Sequence, residues 1–171
     1  KLLARRRAKP LATLRWPRAL DAPPPDVDAA ALQAAHDAAR ALWLGGRDAI
    51  VHCLQQGRSE LNGNTFSEAA IAKAAQGWDT LLDSADPWVE APDKIDLFGS
   101  ARQQPKKGCA APRHAFFDAA QRLLDLRGAA AGALALQRLA LLRRLLEEAG
   151  GALREAKRRQ REMGPAVERT V

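Results

Sequence analysis

Arginine and lysine form the most chemically pointed pattern in this chain. Arg5, Arg6, Arg7 and Lys9 stand close together near the start, Arg15, Trp16 and Arg18 follow, and no acid falls among residues 1–18. A guanidinium fork grips phosphate through two parallel hydrogen bonds, and an indole beside it can stack on a base. A second group, Arg154, Lys157, Arg158 and Arg161, repeats at spacings of three and four. On a helix that spacing gathers one side, which makes a stripe able to follow a phosphate backbone. Both groups are candidates for binding RNA or another phosphate polymer. For the first, the competing readings are an arm on an acidic protein neighbour and the remnant of an import signal. For the second, the competing reading is a solvated helix end.

Other chemistries fare less well. His52, Cys53, Cys109 and His114 are of the right types for tetrahedral zinc. His52 and Cys53 are adjacent, though, and would point about 100° apart on a helix, so no metal is expected. Asp83 with Asp86, and Asp93 with Asp96, make DxxD pairs of a kind that can hold Mg²⁺. They fall at a helix end and in a loop, where aspartate serves as a cap or turn residue. His36 and His114 lack a serine or cysteine nucleophile pattern, and no glycine-rich phosphate loop is present. The chain reads as a non-enzyme with no cofactor and no small-molecule substrate. Two cysteines without a CxxC pair point to a reducing compartment and inert thiols.

Charge layout carries the functional reading. The seven cations between Lys1 and Arg18 account for the whole net charge of +7, and the remaining residues balance. A basic extension on a neutral body most often meets a polyanion. The chain opens on Lys1 rather than Met, and its acid-free, Arg-rich, leucine-dotted start has the composition of an organellar targeting peptide.

The elements that must position these residues are helical. Val and Ile total eight, Tyr is absent, and leucine and alanine dominate, so strand formers are scarce. The expected fold is all-α: an irregular helical bundle with an extended basic N-terminal arm and one long loop. Residues 1–25 form the arm, broken by Pro10, Pro17 and Pro23-Pro24-Pro25. Residues 26–86 hold the N-terminal helices. Asp26 or Asp28 caps one that Gly45-Gly46 ends, a short helix runs from Asp48 to Gln56, and a Thr65–Glu68 capping box opens the next. That last helix places Ile71, Ala74, Ala75, Trp78, Leu81 and Leu82 inward.

Residues 87–111 lack periodicity and form the loop, with Trp88, Leu97 and Phe98 as anchors for an interface. Residues 112–171 form a C-terminal helical hairpin or a kinked long helix with a basic tip, started by Pro112 and interrupted at Gly128 and Gly150-Gly151. Its leucines leave no narrow stripe. Leu139, Leu142, Leu146, Ala149, Leu153 and Ala156 make a seam, and Leu134, Leu141 and Leu145 a second flank. Such a helix is expected to be buried, wrapped by the rest of the chain or by a partner. Arg138, Arg143 and Arg144 puncture it as a membrane span.

This layout predicts a non-catalytic structural subunit of a large ribonucleoprotein, an organellar, mitochondrial-type ribosome, touching rRNA with its basic arm and protein neighbours with the rest. The expected location is the mitochondrion, with another organelle or the cytoplasm as alternatives. The competing function is an accessory subunit of a respiratory-chain or cytoskeletal complex, its arm clamping an acidic protein surface.

Overall fold

The computed structural model describes residues 15–162. Within them the chain is all-α, without a strand: α1 spans Ala29–Gly57, α2 Glu68–Asp83 and α3 Ala115–Glu162, with short 3-10 turns between. The chain divides into two compact units. One is Val27–Ala131; the other joins the residues before it to the chain from Gly132 onward.

In Val27–Ala131 an irregular bundle forms where the apolar spacing predicts it. Asp28 caps α1, its carboxylate accepting from the Ala31 N–H at 2.8 Å. Gly45-Gly46 ends the first of the two helical stretches that make up α1, as the sequence predicts. The backbone leaves the helical region at Gly46 (φ −158°, ψ 27°) and resumes. Trp43 before the kink and Ile50 and Leu54 after it are buried alike, so one core holds both halves. In α2 the cap is Ser67, whose hydroxyl accepts from the Ala70 N–H at 3.2 Å. The expected Thr65–Glu68 box does not form, because the Thr65 and Phe66 N–H groups are committed to Asn62 O in the turn before. Glu68 pairs instead with Arg58 at 2.8 Å. All six residues expected to face inward from α2 are buried.

The long loop is a strap, and here the structure corrects the sequence reading. Leu97 and Phe98 are not interface anchors. With Ile95 they are buried in this unit's own core, because a 3-10 turn at Ile95–Phe98 drives them between the helices. Only Trp88 is left 45% exposed. Arg127 of α3 fixes the strap, donating to the carbonyls of Pro87 and Val89. Lys106 ties its other end to the 3-10 turn Arg58–Glu60 that follows α1, through N–H to Glu60 O at 2.8 Å and Nζ to Ser59 O at 2.7 Å.

The helix α3 starts at Ala115, not Pro112, with His114 Nδ1 accepting from the Phe116 N–H at 3.1 Å. Gly128, Gly132 and Gly150-Gly151 all lie inside it, so no hairpin forms. Each glycine costs about 1 kcal/mol against alanine. The flanking Ala, Leu, Arg and Glu residues are strong helix formers, and i,i+4 pairs such as Arg143–Glu147 and Arg144–Glu148 add a few tenths each. Beyond Gly132 the described residues leave several of its leucines uncovered. There Ala133 and Leu146 are buried, while Leu141, Leu145 and Leu153 are 60%, 61% and 50% exposed.

Close packing leaves no room for a side chain at Gly77. A Cβ on Gly77 would come within 2.8 Å of Ile95 Cγ2 and 3.1 Å of Pro92 Cβ, whereas one on Gly128 meets nothing within 4 Å. Gly77→Ala is therefore expected to destabilise the fold by about 1–3 kcal/mol through overpacking. Gly128→Ala is expected to stabilise it by up to about 1 kcal/mol through helix propensity. Urea midpoints of the two variants check the opposite signs.

Candidate nucleic-acid interface

The cationic surface belongs to the unit that joins residues 15–26 to α3 from Gly132 onward. A 3-10 turn at Arg18–Leu20 closes with the Leu20 N–H donating to Pro17 O at 3.0 Å. Leu20 is buried. Arg143 Nη1 donates to Leu20 O at 3.4 Å and Gln137 Nε2 to Pro25 O at 3.1 Å. From residue 15 on, the arm lies along α3. The physical reason is the apolar flank of α3, which gives Leu20 and the prolines something to cover. Arg15 and Arg18 remain exposed and Trp16 is half-buried. Arg5, Arg6, Arg7 and Lys9 lie outside the described residues.

At the C-terminal end of α3, Arg154, Lys157, Arg158 and Arg161 are all exposed. At about 100° per residue they fall within roughly a 100° arc, and about 10 Å of helix rise separates the first from the last. Arg158 pairs with Glu162 at 3.5 Å, and the neighbouring Arg159 with Glu155 at 2.7 Å. Arg154, Lys157 and Arg161 have no carboxylate partner among the described residues. The helix dipole adds negative potential here, which stabilises the cations in place. No aromatic residue interleaves with the stripe, so its chemistry is phosphate attraction without base stacking.

No known family, curated protein or solved structure matches this chain. Function is therefore argued from the surface itself.

The Val27–Ala131 unit offers two concavities. One, of about 510 Å³, opens at the start of α3 between Ser100, Gln103, Arg113, His114 and Asp118. No hydrogen bond joins Ser100, His114 and Asp118, and the His114 Nδ1 lone pair is occupied by the helix N-terminus. Of the residues weighed for zinc, Cys109 is an exposed free thiol, and the others have protein partners. Gln56 Nε2 donates to His52 Nε2 at 2.8 Å, and Cys53 Sγ lies 3.7 Å from Arg113 O. Among the described residues no three His, Cys, Asp or Glu side chains gather as a metal site. Asp93 pairs with Lys73 and Asp96 with Arg102, each at 3.4 Å, while Asp86 closes a turn onto the Trp88 N–H at 2.9 Å. His36 is fully buried. Its Nε2–H points at Leu81 O at 3.5 Å, and its Nδ1 has no hydrogen-bond partner. Among the described residues no helix is long and apolar enough to cross a membrane.

The second concavity exposes the best-formed ion pair, which sequence reasoning missed. Arg47 Nε and Nη2 donate to the two carboxylate oxygens of Asp79, both at 2.7 Å. Trp43 Nε1 donates to Asp79 Oδ1 at 2.9 Å, and the guanidinium lies 5.8 Å from the Trp43 ring centroid. The hydrogen bond from Arg47, then that from Trp43, holds the Asp79 carboxyl below its ordinary range. The same pairing raises the Arg47 guanidinium. Only a lone arginine after Gly45-Gly46 hinted at this tie between α1 and α2. Arg127 was missed as well; burial lowers its pKa from the ordinary value, partly offset by Asp86, and its role is to hold the strap.

Because Asp79 titrates lower in the folded chain than in the unfolded one, its stabilisation is full above about pH 4 and is lost as pH falls below that. The Asp79→Asn variant is expected to lose about 1 kcal/mol at neutral pH, a modest figure because the pair is partly exposed. It should also show a flatter loss of stability as pH falls below about 4. Urea midpoints across that range make the comparison.

Proposed function

We propose that this chain is a non-catalytic structural subunit of a large ribonucleoprotein, with a mitochondrial-type ribosome as the assembly, and that it grips RNA by its phosphate backbone. The observation that carries the reading is the exposed stripe on α3, where Arg154, Lys157 and Arg161 lack carboxylate partners among the described residues. Arg15 and Arg18 add two exposed cations in the same unit, and the acid-free run of residues 1–18 supplies the chain's net positive charge. Unpaired cations in such number repel one another, and a phosphate polymer relieves that repulsion while releasing its counterions. The grip is indifferent to base sequence, because phosphate contacts position a protein without reading bases. The mitochondrion as location follows from the same reading.

Binding of a short structured RNA at several salt concentrations tests this. Affinity is expected to fall steeply with salt, by a logarithmic slope of roughly 0.7–0.9 for each phosphate neutralised. Changing Arg154, Lys157 and Arg161 together to alanine should reduce the slope by about 2–3, and deleting residues 1–18 should reduce it further. An unchanged slope in both variants overturns the reading.

A further inference from the structure

The end of α2 and the start of the strap carry a charge pattern opposite in sign to the arm. From Ala74 to Asp93 the chain holds no lysine or arginine and five acids, Asp79, Asp83, Asp86, Glu90 and Asp93. Two of these are neutralised, Asp79 by Arg47 and Asp93 by Lys73. Asp83, Asp86 and Glu90 are exposed and form no salt bridge among the described residues. Arg127 is close enough to feel Asp86, but it spends its donors on the carbonyls of Pro87 and Val89.

Trp88 stands in sequence between Asp86 and Glu90 and is 45% exposed, whereas Trp43 and Trp78 of the same unit are buried. Its backbone is pinned on both sides. Arg127 holds the carbonyls before and after it, and the Trp88 N–H donates to Asp86 Oδ1 at 2.9 Å. Among the described residues its ring has no aromatic or cationic neighbour. Tryptophan is the residue type that most often carries binding energy at an interface, and an indole on a backbone already fixed loses little freedom when a partner covers it.

Charge names the occupant. The face of an indole attracts a cation, and a guanidinium can lie flat on the ring while its fork reaches a carboxylate, which an ammonium cannot do. Asp86 and Glu90, each two residues from Trp88, supply the carboxylates. The same acids repel phosphate, so this surface is no extension of the cationic stripe on α3.

We infer that Trp88, with Asp83, Asp86 and Glu90, is a docking surface for an arginine-bearing segment of a protein partner. It does not rest on the RNA reading.

Fluorescence anisotropy of a dye-labelled, acetylated peptide of four Gly-Arg repeats, titrated with the full chain at about 20 mM salt, tests this. The chain's net charge of +7 repels such a peptide, so binding reports a local acidic surface. The arginine peptide is expected to bind at least about threefold tighter than its lysine counterpart. Trp88→Ala should abolish that preference without changing the helical circular dichroism. Asp83→Asn with Glu90→Gln removes two exposed charges that make no hydrogen bond among the described residues, and it should weaken both peptides by about two- to fivefold. No binding up to about 1 mM overturns the inference, as does an arginine preference that survives Trp88→Ala. Equal binding of a Gly-Glu peptide also overturns it. Self-association of the chain that Trp88→Ala abolishes would overturn it too, assigning the surface to a second copy.

Discussion

Four aromatic rings from four separate segments meet in the Val27–Ala131 unit, and everything else in that unit is arranged around them. Trp43 of α1 lies 4.8 Å from Phe116 of α3 and 5.5 Å from Phe98 of the strap, while Trp78 of α2 lies 5.1 Å from Phe116. Most of the contacts are tilted or edge-on, the geometry that ring quadrupoles favour. All four rings are essentially inaccessible to water. Their polar handles are satisfied at the cluster's edge: Trp78 Nε1 donates to Ile95 O at 3.0 Å, and Trp43 Nε1 to Asp79. Removing one ring would therefore unseat a helix and the strap together, because no segment packs there independently of the rest.

The cluster also explains what could and could not be read from the sequence. The inward face of α2 was legible, because its apolar residues recur at helical spacing within one uninterrupted element. Asp28 as a cap was legible for the same local reason. Leu97 and Phe98 were not, since nothing within 87–111 repeats, and the burial of an aperiodic residue depends on distant partners. Phe98 is covered by Trp43, Phe116 and Phe117, which lie far from it in sequence. Arg127 illustrates the same limit in polar form: its partners are backbone carbonyls, which carry no signature in residue type.

Glycine was over-read for a related reason. Gly45-Gly46 and Gly150-Gly151 have equal propensity to stop a helix, yet α1 kinks at Gly46 while α3 carries Gly150-Gly151 inside a continuous helix. Propensity is a difference of about 1 kcal/mol per residue, small enough for context to decide. Around Gly46, buried residues on both sides bind the two halves of α1 to one core. Gly150-Gly151 lies among mostly exposed residues, so no core holds the backbone in a bend there and the strong helix formers on either side prevail.

The exposed half of α3 follows from composition in a less obvious way. Leucine is both a strong helix former and strongly apolar, so a leucine-dense run secures the helix and over-supplies apolar surface at once. Segment 15–26 covers one flank, and the cations of the last turns keep another in water. What remains is the face bearing Leu141 and Leu145. The cationic stripe and the exposed leucines fall on opposite sides of α3 because its charged and apolar residues alternate with the helical period.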